Sequence, residues 1–396
     1  MYTIHKDFIP HKKVSFEKLQ DIMDQPVLRK EKVSNPVIIS SFTLLLSEGK
    51  WYLRVRGTEG QEGMAPCSER ASYLYTLLQE RILPFMLGKD ARDLEQIFDE
   101  IYVRDLNYKI QGLAWWCSIA WVESAVLDML AKTAGINVTD LFGERLRHEL
   151  DLYLASGNRD TTPEEEVFVL EENMAKIGGP KAIKFKLGGR MSRNKDSLAG
   201  RTEGILYLAR KHFGDAMNLL ADGNGSFDAE KGIEVGQILE SVNGYFYEEP
   251  CPFDDLWATK AVADGLSIPV AFGEQETSLR RFAWIIEENA AQILQPDLQY
   301  AGGFLQCIKV ARMADAAGIQ ISPHVSGGFT SYNMLLYCAV IPNAAHFHEY
   351  KGYGNAAFCS NLSVKDGKVR IPDGLGLGLD LSYVKEENSQ IIFDVK

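Results

Sequence analysis

The chain has 396 residues, 46% hydrophobic and 24% charged, with a formal net charge of −12. That length suits one large α/β barrel with a smaller partner domain, and the average composition excludes a disordered or fibrous chain. The acidic balance disfavours a general nucleic-acid binder, which needs excess Lys and Arg for the phosphates.

Residues 37–46 are rich in β-branched and apolar side chains, Ser47-Glu-Gly-Lys50 supplies a turn, and residues 51–56 alternate, which predicts a hairpin. Helical stretches follow at residues 69–83, stopped by Pro84, at residues 91–103, and at Leu113–Ala134, which closes near Gly135. Strands followed by helices make residues 1–135 an α+β capping domain.

From about residue 150 the pattern changes to short apolar strands alternating with amphipathic stretches, which is βα repetition. The predicted strands are residues 152–155, 182–187, 218–222, 244–248, 269–273, 293–295, 319–322 and 345–349, with helices such as residues 202–212 and 229–242 between them. Eight strands is the number of a TIM barrel, here assigned to residues 136–360. An open doubly wound sheet is the competing fold. The barrel is preferred because no Gly-rich dinucleotide fingerprint follows an early strand and polar residues cluster at many strand ends. Residues 361–396 form a tail with a hairpin signal, Asp366-Gly367, and are expected to return to the capping domain.

No run of about 18 apolar residues is seen that would span a bilayer, and the start lacks a signal-peptide layout. The expected location is cytoplasmic, with no membrane partner. Six cysteines without a CxxC pair indicate neither a zinc site nor a disulfide framework, so they are read as reduced thiols, mostly buried.

The residues that end the predicted strands carry the chemistry: Lys184 and Lys186, Asp222, Glu248, Glu274, Asp297, His324 and Glu349. In a barrel all strand C-termini open on one face. Any one of them alone reads as a helix cap or a surface charge. Together, Asp222, Glu248 and Glu274 on adjacent strands would repel one another unless a cation neutralised them, and an all-oxygen set favours Mg²⁺. Lys184 and Lys186, two apart on a strand, share a face.

The motifs resemble the enolase superfamily, and within it the mandelate racemase subgroup. Ile183-Lys-Phe-Lys186 resembles its Lys-x-Lys element, while Asp222-Gly-Asn224, Tyr247-Glu-Glu-Pro250 and Phe272-Gly-Glu274 resemble its three metal-ligand segments, with Glu248 the ligand in the second. Residues 295–303 and Ser322-Pro-His324 resemble the Asp and His segments of its catalytic dyad, and Glu349 stands where the subgroup often places an acid at the eighth strand. Residues 120–128 and 372–378 also look like family segments, whereas residues 1 to about 70, where the family has its lid loops, depart from the pattern. The resemblance implies a modified, enolase-like (β/α)8 barrel and Mg²⁺-dependent removal of the proton α to a carboxylate.

In that scheme Mg²⁺ and Lys184 stabilise the enediolate, and Lys186 is the base on one face. Asp297 orients His324 as the second acid/base. Glu349, if protonated, donates to the carboxylate; if ionised, it repels the intermediate. Asn224 reads equally as a substrate contact or as a turn residue. His346 and His348 are read as ordinary strand residues, and Arg29, Lys30 and Lys32 as a solvated basic group. The expected reaction is dehydration of an acid sugar. Racemisation or epimerisation of a 2-hydroxy acid is the alternative, cycloisomerisation a third, and a non-catalytic scaffold the reading from another class. The expected partner is a small carboxylate, and the expected state a homo-oligomer.

Overall fold

The structure, a computed structural model, describes residue 8, residues 11–352 and residues 362–396. Cys359, the first seven residues and the expected boundary at residue 360 lie outside the described residues.

The predicted hairpin forms from β1 (Ile39–Ser47) and β2 (Lys50–Gly57), antiparallel with Ser47 opposite Lys50. A third strand, β3 (Glu62–Cys67), lies beyond the prediction and pairs with β2. Against this sheet packs the helix Leu113–Ala134, which ends at Gly135 in the left-handed conformation (φ 70°). By length and composition this helix could cross a membrane, contrary to the sequence reading that no such run exists; 83% of its apolar window is buried inside the protein, the position of a core helix. Gly63 of β3 allows the close approach, since a Cβ there would sit 2.3 Å from the carbonyl oxygen of Ala125.

The helix predicted to stop at Pro84 instead continues to Met86. It does so through a π-helical turn, Leu78–Ile82, and resumes at Leu83–Met86 with Pro84 in its first turn, where the missing N–H costs nothing.

The barrel strands are β4 (Glu149–Ala155), β5 (Ala182–Lys186), β6 (Asn218–Asp222), β7 (Phe246–Glu248), β8 (Val270–Phe272), β9 (Ile293–Leu294), β10 (Gln320–Ile321) and β11 (Phe347–Tyr350). Neighbours from β4 to β10 pair in parallel and in chain order. β11 pairs in parallel with β4, and a bridge from Ile321 to Ala344 closes the ring. Each strand from β4 to β10 is followed by an α-helix; among the described residues no α-helix follows β11. Among the described residues the barrel consists of seven βα units and a closing strand.

Alternation along the strands explains the interior. Ile183 and Phe185 of β5 point outward and pack with Val167, Leu206 and Val235 under the helices. Tyr153, Ala182, Leu220, Phe246, Ala271, Ile293 and Phe347 point inward and form one apolar layer.

The tail divides. β12 (Val364–Lys365) and β13 (Lys368–Arg370) form the predicted hairpin, with Asp366 (φ 54°) and Gly367 (φ 69°) in its turn. This hairpin joins β4 of the barrel rather than the N-terminal region. The later strand β14 (Gln390–Val395) pairs with β1, giving the order β14-β1-β2-β3. Between them, Asp128 binds the segment around Gly376: its Oδ1 accepts from the Leu377 N–H at 2.9 Å while its Oδ2 accepts from Met64 N–H at 2.9 Å. The two motif segments outside the barrel mouth are thus one contact.

Candidate active site at the barrel mouth

Side chains on a strand repeat their direction every second residue. Two residues beyond the apolar layer, the inward positions are Lys184, Asp222, Glu248, Gln295 and Glu349, all buried. A polar layer thus sits directly on an apolar floor. Glu274 follows β8 after Gly273, whose φ of 113° turns the chain into the mouth. Asp297 and His324 stand just past β9 and β10.

Asp222, Glu248 and Glu274 are buried and offer ligand oxygens all within 4.8 Å of one another. Lys184 Nζ lies 2.8 and 2.7 Å from the two oxygens of Glu248 and 2.9 Å from Oε1 of Glu349. Lys186 pairs with Asp222, and Gln295 donates to Glu248 at 2.8 Å. Burial resists the charge on Lys184, but Glu248 and Glu349 overcome it and hold its pKa well above the ordinary lysine value. Glu248 is pushed up to about 7 by burial and by Asp222. Burial also works against the charge on Asp222, but Lys186 and Lys184 outweigh it and lower its pKa. An all-carboxylate cluster of this kind is a donor set for a hard divalent cation.

On the other side, His324 Nδ1 is 2.9 Å from Asp297 Oδ2, and its Nε2 is 3.5 Å from Glu274 Oε2. Asp297 is itself fixed by the N–H groups of Gln299 (2.8 Å) and Tyr300 (3.2 Å). Burial disfavours the imidazolium, yet Glu274 and the Asp297 hydrogen bond raise the His324 pKa above its ordinary value.

Of the two alternatives for Glu349, the ionised one fits. Burial alone would neutralise it, but Lys184 and Lys351 hold its pKa well below the carboxylate range. Its Oε2 accepts from the Val325 N–H at 2.9 Å. Asn224 has a left-handed backbone (φ 41°) and lines the cavity; its N–H and Nδ2 donate to Asp222 at 2.8 and 3.3 Å, and its Oδ1 accepts from Arg159.

A cavity of about 440 Å³ opens above the polar layer, lined among others by Lys186, Arg190, Asn224, Glu274, Tyr300, His324 and Lys351. Several of these escaped the sequence reading. Lys351 is two residues beyond Glu349, the same spacing that relates Lys186 to Lys184, and that period was the available signal. Tyr300 is held by Arg70, whose guanidinium donates to the tyrosine oxygen at 2.9 Å, so the N-terminal region reaches the cavity wall. Glu249 is buried beside Glu274 and Asp222, and burial followed by Glu274 raises its pKa well above the ordinary value; no periodicity marks it, because it follows the strand in a left-handed conformation (φ 38°).

His346 and His348 take no part in the mouth. His348 is buried in β11 with its Nδ1 3.6 Å from Cys338 Sγ. Lys30 pairs with Asp93, and none of Arg29, Lys30 and Lys32 lines the cavity. Cys67, Cys117, Cys251, Cys307 and Cys338 are free thiols, all but Cys67 fully buried.

A parallel α/β barrel with an acidic centre at its C-terminal mouth, joined to an α+β sheet, is the class these features define. Residues 169–385 match the family model described as enolase C-terminal domain-like, and the chain belongs to that family. It is 30% identical to L-talarate/galactarate dehydratase of Salmonella typhimurium, over 83% of this chain and 79% of that protein. It is 28% identical to arabinonate dehydratase of Saccharolobus solfataricus, over 76% and 79%. Among solved structures, the mandelate racemase/muconate lactonizing protein of Paracoccus denitrificans complexed with magnesium superposes with a TM-score of 0.81 at 22% identity, covering 90% of this chain and 99% of that one.

Proposed function

We propose that this protein is a Mg²⁺-dependent acid-sugar dehydratase of the cytoplasm, in which residues 1–135, joined by β14 of the tail, cap a barrel spanning residues 136–360 to whose β4 the tail hairpin adds. The observation that carries the reading is that Lys186 and His324 line one cavity from the two ends of the arc of acids Asp222, Glu248 and Glu274. The named dehydratases among its relatives support the choice of reaction.

Asp222, Glu248 and Glu274 would hold the ion, which when bound supplies Lewis-acid stabilisation of the charge that develops on the substrate carboxylate. Lys186, released from Asp222 and having given its proton to solvent, takes the α-proton as the free amine on one face. His324, protonated at Nε2 and anchored through Nδ1 to Asp297, gives a proton to the departing β-hydroxyl on the other. Lys184 stays charged between Glu248 and Glu349 and offsets the negative field of the acids. Asn224 and Gln295 keep Asp222 and Glu248 in place.

Incubation with Mg²⁺ and a panel of acid sugars in D₂O tests this. A 2-keto-3-deoxy acid is the expected product, lost in both Lys186→Ala and His324→Asn. Deuterium at the α-carbon of an otherwise intact acid would instead identify a racemase or epimerase, for which the same two side chains would serve. Neither outcome across a broad panel would leave a non-catalytic scaffold.

A further inference from the structure

We propose that Arg190 and Lys351 form the receptor for a second carboxylate, so that the substrate is a sugar acid oxidised at both ends; this rests on the dehydratase reading and narrows its substrate. Both side chains line the same 440 Å³ cavity as Lys186 and His324, a volume typical of small-molecule sites. Neither is one of the two side chains assigned to proton transfer.

Charge bookkeeping inside the cavity leaves them short of anions. Lys186 has Asp222 and Lys184 has Glu248. Among the described residues the carboxylate partner of Lys351 is Oε1 of Glu349 alone, at 3.2 Å, and that same oxygen lies 2.9 Å from Lys184. One carboxylate therefore serves two ammonium groups. Among the described residues the other contacts of Lys351 supply no anion: the Val325 carbonyl at 3.0 Å and His324 Nε2 at 3.3 Å. Arg190 lines the cavity with no carboxylate partner among the described residues. Its neighbour Arg159 spends its guanidinium on the carbonyls of Leu187 (2.6 Å) and Gly188 (3.0 Å) and on Asn224, again without a carboxylate.

The backbone of the loop that carries Arg190 is enforced by its neighbours. Met191, Arg193 and Asn194 adopt left-handed backbone (φ 50°, 54° and 67°), which non-glycine residues keep only when their surroundings enforce it. The enforcement is visible: Met191 N–H bonds Asn224 O at 3.1 Å, Asn194 N–H bonds Ser226 O at 2.8 Å, Ser226 Oγ bonds Gly189 O, and Asn194 Nδ2 bonds Asp228 at 2.6 Å. The loop after β5 is thereby fastened to the loop after β6. Arg190 extends from this fixed backbone as an exposed side chain at the cavity wall, and its guanidinium offers a planar pair of donors suited to a carboxylate.

A sugar acid with one carboxylate places it at the acidic centre and meets Arg190 and Lys351 with hydroxyl groups alone. A sugar diacid meets them with a full negative charge. A site built for a charged partner rejects the analogue that lacks it, because its own groups are then left unmatched.

The test uses the full-length protein with Mg²⁺ and pairs of six-carbon acids of identical inner configuration, one ending in carboxylate and the other in hydroxymethyl. The diacid is expected to be preferred in kcat/KM by about 100-fold, and Arg190→Gln and Lys351→Met should each shrink that ratio by roughly 10-fold or more. Calorimetric binding of adipate against 6-hydroxyhexanoate, neither of which has a hydroxyl to eliminate at the β-carbon, should give the same order of preference without turnover. Equal or better use of the hydroxymethyl acids, or ratios unmoved by both substitutions, would overturn the receptor while leaving the dehydratase reading intact. Absence of α-deuterium exchange and of product with every pair would overturn both.

Discussion

Asp297 Oδ2 lies 2.9 Å from Nδ1 of His324, while its Oδ1 accepts two backbone N–H groups. The carboxylate is therefore fixed on one side and dictates on the other that His324 carries its hydrogen at Nδ1. That leaves Nε2 as the nitrogen facing the cavity.

Asp297→Asn keeps the shape but removes the charge and admits the wrong tautomer. Elimination should fall about 1,000-fold in kcat, with a smaller change in KM. Exchange of the α-proton by Lys186, on the opposite face, should survive better than elimination. Following deuterium incorporation and 2-keto-3-deoxy product in one reaction separates the two, and equal loss of both would argue against the division of labour.

Lys184 stands between Glu248 and Glu349 with no exposed surface. Lys184→Met leaves two buried carboxylates without their shared cation, a loss on the order of 3 kcal/mol in stability. Mg²⁺ supplies positive charge to the same cluster, so the deficit should shrink when the ion is added. Urea denaturation of both proteins with and without Mg²⁺ measures this; a deficit independent of the ion would separate Lys184 from the acidic centre.

Chelation should abolish turnover without unfolding the chain. In the free protein Lys184 and Lys186 already neutralise part of the charge on Glu248, Glu349 and Asp222. The barrel rests on its apolar layer and on the helices outside it, not on a metal. Far-UV circular dichroism with EDTA is expected to match that with Mg²⁺, and loss of the helical signal would contradict it.

Much of the barrel was legible because its strands are short apolar runs ending in one polar residue, as in Asn218–Asp222, where the structure reproduces the predicted bounds. The acids and lysines of the mouth follow from the same period of two. β3 was not legible, since Glu62-Gly-Met-Ala-Pro-Cys67 has neither alternation nor β-branched residues, and its pairing depends on β2 and on the helix that Gly63 admits. Arg70 and Arg190 were missed for a related reason: they sit on loops, and only the folded backbone brings them to the cavity. The destination of the tail hairpin was misjudged because the turn Asp366-Gly367 specifies a hairpin but not the strand it joins.

His348 gives the pH dependence with the clearest sign. It is fully buried in β11, and burial, reinforced by the charge of Arg147, lowers its pKa from the ordinary value to about 3. Unfolding exposes the ring and restores a pKa near 6.5. Between those two values the unfolded chain binds a proton that the folded one refuses, so stability is lost as the pH falls through that window, by up to about 1.4 kcal/mol per pH unit. His348→Leu removes the titrating group, keeps the site apolar, and also removes a ring nitrogen, Nε2, that has no hydrogen-bond partner. The variant should therefore lose less stability than the parent between about pH 6.5 and pH 4, a difference that thermal melts in the two buffers would reveal. Parallel slopes for the two proteins would mean that the ring is not kept neutral in the folded state.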